Sequence, residues 1–386
     1  MPKTFYELYE ELQEERYFER LMLDPMAQFG SEDQQLLGAQ LMPERVVEEN
    51  AYEETQVRYR TKPALDNNRY SPTQKQDNSA LIGSFRVDLG HTDTRKDLTG
   101  KEYDDLRQLL MRGGDMKAMS QVINWVDKEL VQPHIIKNEL QRWQAWLLAS
   151  VSRQTANGDM QAINYYRPAD HIVTIPGGTT GSPQGWHLDT YDPFDDIEAG
   201  KEKLQGLGYS LVGMYATPSL GRVLRTNDEV IKRNGRRIPN DVAPPTRVTE
   251  TILSQLLEDE DYTGITLYNG GYESEAGFKP YMDVEDGYDY LLMVGGTQRQ
   301  YDMASDYTGA VSDISNFTDS TIVLNNTLGY YAVGRNAGKD SSGRSIYTKM
   351  MEKKPVGMMG ESYQTGLPVI TDPQAYYVIR VQRPTA

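Results

Sequence analysis

The chain has 386 residues, no cysteine and a formal net charge of −16. This length favours two or three lobes over one compact domain, and the lack of cysteine excludes disulfides, thiolate nucleophiles and cysteine-ligated zinc. So acidic a chain is a poor general binder of nucleic acid, because that affinity comes mostly from lysine and arginine on phosphates. No apolar run reaches the length of a membrane span, and the charged first residues are unlike a signal peptide, so we expect a protein kept in a cytoplasm.

The first sixty residues carry few apolar side chains after an initial helical pattern. Leu8, Leu12 and Leu21 recur at roughly helical spacing among glutamates and arginines. Residues 31–60 then stay largely polar, and a segment with so little apolar content cannot bury itself well. We therefore expect residues 1–60 to form an extended N-terminal arm with a short leading helix.

Residues 61–105 combine turn residues with short alternating stretches. The alternation of apolar and polar positions is clearest over 81–89, which is typical of a β-strand. A long hairpin with so little core would be a liability in a monomer. We expect an extended hairpin loop that lies across another copy of the chain.

Residues 115–152 carry the strongest helical pattern of the chain. One apolar stripe consists of Met119, Val122, Val126 and Leu130, and a second of Ile136, Leu140, Trp143 and Leu147. A continuous helix here would span roughly 57 Å at ~1.5 Å per residue. Pro133 should kink it or divide it into two pieces. The segment alone is equally consistent with one long helix or with an ordinary pair of core helices.

The most informative segment runs from residue 186 to residue 230. Its marked positions are Trp186, Asp192, Pro193, Asp196, Ile197 and Gly208. Asp192 is a good N-cap, Pro193 suits a first helical turn, and Asp196 lies where the helix dipole favours negative charge. Ile197 belongs to the apolar stripe of this helix, and Gly208 is a good C-terminal stop. We expect Trp186 to pack between lobes, in preference to stacking on a ligand.

The remaining elements alternate between helix and strand. Residues 249–257 have the pattern of a capped helix, and residues 264–268 and 290–294 that of buried strands. Residues 331–372 are rich in glycine, serine, lysine and methionine, and we expect a loop or insertion there. Residues 376–381 predict a terminal strand.

Few residues suggest catalysis or cofactor binding. The glycine-rich run 176–183 lacks the lysine of a phosphate-binding loop, so a plain hairpin turn is favoured. His187 and Asp189 beside Asp192 do not have the spacing of a calcium loop, and we expect no metal. No nucleophile elbow is present. We predict neither catalytic residues nor cofactors.

One basic cluster stands out, formed by Lys232, Arg233, Arg236 and Arg237. Complementary charge steers association and sets register, so one interpretation is that the cluster pairs with acidic surfaces of adjacent copies. A solvated loop explains it equally well.

The ordered series over residues 186–296 resembles the lambda-type capsid protein E family of tailed phages. The matching features are Trp186, the Asp-Pro-x-x-Asp-Ile helix start at 192–197, Gly208 before a strand, a tyrosine-rich turn with Gly277, and the pair Gly295 and Gly296. The family implies an α+β protein with the Hong Kong 97-type capsid fold and no enzyme activity. It also implies a major capsid protein that forms hexamers and pentamers of an icosahedral head, assembled in the cytoplasm of a bacterial host.

By position, the resemblance implies an N-terminal arm (1–60), an extended hairpin loop (61–105), a peripheral domain with a long spine helix (106–190), an axial domain (191–330), a loop or insertion (331–372) and a closing strand of the peripheral domain (373–386). The implied partners are other copies of the chain, scaffolding, portal and decoration proteins, and packaged DNA without specific binding. No membrane partner is implied.

Two other classes of protein stay open. One is another virion structural protein, such as a tail or decoration component, which would less naturally need both an arm and a spine helix. The other is a soluble α+β hydrolase, which should remain a small oligomer.

Overall fold

The computed structural model describes residues 5–14, 36–47, 51–59, 80–112, 115–154, 160–177, 185–187, 191–235, 247–275, 277–296, 329–335, 344–351 and 356–384. Its helices are α1 (Phe5–Glu14), α2 (Leu37–Leu41), α3 (Lys101–Met111), α4 (Asp115–Val126), α5 (Gln132–Leu148), α6 (Pro193–Gly206), α7 (Pro218–Thr226), α8 (Asp228–Gly235) and α9 (Glu250–Asp259).

The strands are β1 (Glu44–Val46), β2 (Ala51–Tyr59), β3 (Ala80–Asp88), β4 (Gly90–Thr99), β5 (Ser150–Gln154), β6 (Met160–Asn164), β7 (Ile172–Ile175), β8 (Ser210–Ala216), β9 (Ile265–Leu267), β10 (Gly271–Ser274), β11 (Gly277–Pro280), β12 (Tyr288–Gly296), β13 (Tyr330–Val333), β14 (Arg344–Met351), β15 (Gly357–Val369) and β16 (Tyr376–Gln382). Most strand pairs are antiparallel. The predicted α+β class is confirmed.

Two five-stranded sheets organise the chain. In the first sheet the order is β1, β13, β15, β14, with β4 paired to the other edge of β15. The second sheet has the order β7, β16, β12, β8, β9. Three further pairs, β2 with β3, β5 with β6 and β10 with β11, are two-stranded. No helix in the described ranges is long and apolar enough to cross a membrane.

The second sheet is buried on both faces. Side chains that alternate along β12 and β16 enter two different cores. One core holds Tyr290, Leu292, Val294, Tyr376 and Val378, together with the long helix, and the other holds Leu291, Met293, Tyr377, Ile379 and Val381, together with α6, α7 and α9. The closing strand β16 lies between β7 and β12, and its alternate side chains enter both cores.

The long helix is continuous from α4 to α5 through a π-helical turn, Asp127–Val131. Pro133 follows this turn directly. Proline lacks the N–H that an α-helix needs at that point, and a π-helical turn is one way to accommodate the missing bond. The N–H of Gln132 donates to the carbonyl of Asp127, five residues earlier. The sequence located the irregularity correctly, and the structure shows a π-helical turn there.

Helix α5 packs on β15 through polar side chains as well as apolar ones. The hydroxyl of Ser362 donates to the carbonyl of Leu130 at 2.8 Å and lies 2.9 Å from Nε2 of His134. The amides of Asn138 and Gln364 exchange two hydrogen bonds at 3.2 and 3.3 Å. All four of these side chains are buried.

This packing corrects the expected loop or insertion over 331–372. Residues 344–351 and 357–369 are strands, and the second forms the centre of the first sheet. Two polar residues of this segment, Ser362 and Gln364, are buried and hydrogen-bonded to side chains of α5. A buried polar group is tolerated when a partner satisfies it, and the sequence of β15 alone does not reveal that partner.

The first sixty residues contact their own chain at several points. Leu8 and Leu12 of α1 are buried, and the hydroxyl of Tyr9 donates to the carbonyl of Thr348 in β14 at 2.6 Å. Strand β1 pairs in parallel with β13. Strands β2 and β3 form an antiparallel hairpin with Ala51 opposite Asp88. The hairpin therefore begins at Ala51, before residue 61, which was the predicted start.

The amide pair between α5 and β15 predicts a non-additive effect on stability. Asn138→Leu or Gln364→Met alone leaves one buried amide without its partner and should lower the free energy of unfolding by about 1–3 kcal/mol. The double variant replaces both amides with apolar groups, so its loss should be smaller than the sum of the single losses. Urea unfolding of unassembled protein measures all four members of the cycle. Additive losses would show that the two amides do not act as a pair.

Candidate assembly site

The start of α6 is fixed by Asp192. Its Oδ1 accepts the N–H of Phe194 at 3.0 Å, and Pro193 occupies the first helical turn. The second oxygen, Oδ2, accepts a hydrogen bond from Arg233 at 2.5 Å. The N-cap and proline predicted from the sequence are therefore present, with a cation from α8 added to them.

Arg233 is held within its own subunit. Its guanidinium bridges Asp192 and Glu260, with the Glu260 oxygens at 2.6 and 2.7 Å, and lies 4.4 Å from the centroid of the Phe194 ring. Lys232 pairs with Glu229 at 2.6 Å. The described half of the basic cluster thus makes ion pairs inside the chain. Arg236 and Arg237 lie outside the described residues.

Trp186 and Asp196 form the second contact at this site. Trp186 is only 1% exposed, and its Nε1 donates to Asp196 at 2.6 Å. The hydroxyl of Tyr191 donates to both oxygens of the same carboxylate at 3.0 and 3.1 Å. The side-chain amide of Asn227 donates to the carbonyls of Trp186 and Tyr191. These bonds connect the segment before α6 to the segment between α7 and α8.

Asp196 is a carboxylate under opposing influences. Burial raises its pKa above the ordinary aspartate value, and the hydrogen bonds from Trp186 and Tyr191 counteract part of that shift. The nearby Asp192 and Asp195 raise it further. The net pKa is raised, so the folded state favours the protonated form more than the unfolded state does.

Ile197 and Gly208 have structural roles at the two ends of α6. Ile197 is buried in the core shared with Met293 and Tyr377. The helix lies close to the second sheet at Gly200, where an added Cβ would be 2.7 Å from Sδ of Met293. Gly208 has a φ of +85°, a conformation that glycine adopts without strain, so it ends the helix as predicted.

A second site, which the sequence analysis missed, surrounds Glu139 and Arg142 on α5. Glu139 is 0% exposed and Arg142 2% exposed. Oε1 of Glu139 accepts the backbone N–H of Gly38 at 2.8 Å and Nε1–H of Trp143 at 2.9 Å. It also accepts the hydroxyl of Tyr268 at 3.1 Å. This carboxylate joins the N-terminal segment, the long helix and the loop after β9.

Arg142 extends this site to the first sheet. Its guanidinium lies 3.4 Å from Glu139 and 3.5 Å from Glu44 of β1, and 4.9 Å from the centroid of the Tyr331 ring. The hydroxyl of Tyr331 donates to Gln141 at 2.8 Å. Buried charges without partners are costly, so these contacts fix the position of residues 38–44. The available signal was a Glu and an Arg, spaced i and i+3, beside the apolar stripe that contains Trp143.

An aromatic series leads from α5 to the β10–β11 hairpin. The ring centroids of Trp143 and Tyr268 are 5.3 Å apart, those of Tyr268 and Tyr281 6.3 Å, and those of Tyr281 and Tyr272 5.7 Å, all stacked. Phe278 of this hairpin is mostly exposed. Several of the abundant tyrosines are therefore used to position a small hairpin relative to the long helix.

The described histidines contribute to packing. Nδ1 of His171 lies 2.9 Å from the carbonyl of Tyr376, and His91 lies 3.2 Å from the hydroxyl of Thr365. Burial lowers the pKa of His187, which favours its neutral form. Within the described ranges, no three side chains of His, Asp or Glu gather as they would around a metal ion. Asp189 and most of the glycine-rich run 176–183 lie outside these ranges.

No protein-family model matches this chain, and no curated protein is significantly similar to it in sequence. Similar solved structures include a phage-related protein from Bordetella bronchiseptica RB50, with 12% identity, a TM-score of 0.49 and coverage of 91% of this chain and 93% of that chain. A putative capsid protein of a prophage from E. coli CFT073 has 12% identity, a TM-score of 0.47 and coverage of 78% and 79%.

A structure from Gordonia phage Cozz has 11% identity, a TM-score of 0.47 and coverage of 91% of this chain and 87% of that chain. All three structures are at most 12% identical to this chain.

The Glu139 site predicts that Gly38 tolerates no side chain. An added Cβ would lie 2.5 Å from Oε1 of Glu139, so Gly38→Ala should lower the free energy of unfolding by about 1–3 kcal/mol through overpacking. It should also raise amide hydrogen exchange over residues 36–47. Gly206→Ala is the matched control, because nothing lies within 4 Å of its added Cβ. Equal stability of the two variants would contradict the close contact at Gly38.

Asp196 predicts an unusual dependence of stability on pH. A carboxyl whose folded pKa is raised destabilises the fold as pH rises from the unfolded pKa, about 4, through the folded pKa. Asp196→Asn removes this titration. The melting temperature of the wild type should therefore fall relative to that of Asp196→Asn across this window. Thermal melts at closely spaced pH values measure the difference, and a relative rise would reverse the sign assigned here.

Proposed function

We propose that this chain is the major capsid protein of a tailed double-stranded DNA bacteriophage. Copies of it assemble into the hexamers and pentamers of an icosahedral head that encloses the genome. The protein is structural and has no active site. Its function is the sum of weak contacts repeated over a closed shell, in which each surface patch meets a complementary patch on a neighbour.

The observation that carries the proposal is the β2–β3 hairpin. The two strands pair with each other over nine positions, from Ala51 opposite Asp88 to Tyr59 opposite Ala80. In the described part of the chain neither strand joins another sheet. An isolated two-stranded hairpin is marginally stable in water, so a contact outside its own subunit would stabilise it. Another copy of the chain supplies that contact in a shell.

The anchoring of the other parts supports the same function. The N-terminal segment is tied to the long helix at Glu139 and Arg142, and both lobes share the second sheet. These contacts fix the positions of the N-terminal segment and both lobes, and the β2–β3 hairpin extends from them. The net charge of −16 also suits a wall that faces packed DNA without binding it tightly.

We also propose scaffolding, portal and decoration proteins as partners. The support for these partners is the family resemblance alone. The head is assembled in the host cytoplasm and the protein ends in the virion. The alternatives are a tail or decoration protein and a soluble hydrolase. The particle size of the purified protein distinguishes both of them from a capsid protein.

The first experiment is the particle size of the purified protein, by light scattering and negative-stain electron microscopy. Shells, tubes or capsomer rings are expected. A compact species at or near the monomer mass of 43.8 kDa, unchanged at high concentration and with added scaffolding extract, would contradict the proposal.

A hairpin deletion sharpens this experiment. Because Ala51 lies directly opposite Asp88, residues 51–88 can be replaced by a short Gly-Ser linker that joins adjacent points of the chain. The variant should fold, with a melting temperature close to that of the wild type, and form no shells. If the variant without the hairpin forms normal shells, the hairpin is not needed for assembly and no longer supports the proposal.

A further inference from the structure

One edge of strand β4 has no strand partner among the described residues. The other edge pairs with β15 over its whole length, from Gly90 opposite Gly366 to Thr99 opposite Gly357. The outer strand β14, by contrast, is contacted by α1, where Tyr9 binds the carbonyl of Thr348. A long free edge presents unpaired backbone groups to which another strand can add.

The two faces of β4 differ in their surroundings. Leu98 is buried against the long-helix side, and Lys96 lies 3.2 Å from Glu129 of the π-helical turn. The opposite face carries four exposed residues in alternate positions, His91, Asp93, Arg95 and Asp97. Arg95 is only weakly held, at 3.6 Å from Asp97 and 3.7 Å from Glu361, with 59% of its side chain exposed.

This charge pattern is complementary to itself in the antiparallel register centred on Thr94. With Thr94 opposite Thr94 of a second copy, Asp93 lies opposite Arg95 twice, and His91 lies opposite Asp97 twice. The two Asp93–Arg95 pairs place opposite charges directly across the strands, which stabilises the pairing, whereas like charges would destabilise it. A register centred on Asp93, on Arg95 or on Lys96 would instead place that charged residue opposite its own copy.

We propose that β4 is a self-association edge, at which two copies of this chain pair through residues 90–98 about a two-fold axis at Thr94. The pairing joins two five-stranded sheets into one, with both long helices on the same face. It is an isologous contact, in which each copy uses the same surface. This β4–β4 pairing does not depend on shell formation. In a shell, the pairing would lie on a two-fold axis.

Disulfide trapping tests the register directly, because the chain has no cysteine of its own. Thr94→Cys places two thiols opposite each other, within the Cα separation of a disulfide. Thr92→Cys is the matched control: it lies on the same strand and face, but opposite Lys96 in this register. After equal mild oxidation of the full chain, Thr94→Cys should give at least about tenfold more covalent dimer than Thr92→Cys.

Equal or reversed yields from two variants that melt like the wild type would overturn the proposed register. The result is also separable from the capsid function. Covalent dimers in a protein that forms no shells would retain the β4 contact and contradict the capsid role. Shells in which Thr94→Cys stays uncrosslinked would do the reverse.

Charge reversal supplies a second test that does not depend on cysteine chemistry. Asp93→Lys alone and Arg95→Asp alone each place like charges opposite each other, so each should weaken self-association measured by sedimentation. An equimolar mixture of the two variants restores both opposite-charge pairs and should associate at least about tenfold more tightly than either variant alone. Asp105→Lys and Arg222→Asp, at exposed helical positions, are controls for net charge. No gain on mixing would overturn the proposal.

Discussion

The fold depends on the burial of both faces of one sheet. Along β12 and β16, successive side chains enter opposite cores, so Leu292 and Tyr376 pack towards the long helix while Met293 and Tyr377 pack towards α6. Burial of each such side chain contributes about 1.5–3 kcal/mol relative to its exposure. Because the two cores use the same two strands, neither lobe can complete its core until these strands are paired.

This double burial explains why some elements could be predicted from the sequence. A strand that is covered on both faces is a continuous apolar run. Residues 290–294 form such a run, and residues 376–381 do so apart from Arg380. The start of α6 was predicted because its chemistry is local: Asp192 caps the helix that follows it within two residues. The long helix was predicted because its apolar stripes extend over many turns, and Pro133 marked the irregular turn.

The missed features all depend on partners that are distant in sequence. The polar residues Ser362 and Gln364 predict a loop until His134 and Asn138 are placed opposite them. The sequence left open whether Arg233 pairs with neighbouring copies or is solvated, and its intrachain partners, Asp192 and Glu260, lie 41 and 27 positions away. The contact of residues 36–47 with the long helix could not be predicted, because their composition gives no signal of it. The carboxylate that accepts the N–H of Gly38 belongs to Glu139, about a hundred positions later.

The anchoring of the N-terminal segment has a consequence for synthesis in the cell. Gly38 binds groups on the long helix, and β1 pairs with β13, whose residues are made almost three hundred positions later. At translation rates of about 5–20 residues per second, roughly 15–60 s pass between the synthesis of β1 and the synthesis of β13. During that interval the start of the nascent chain lacks its strand partner. Polysomes bring neighbouring nascent chains close together, and each of them exposes the same unpaired segment before its own β13 emerges.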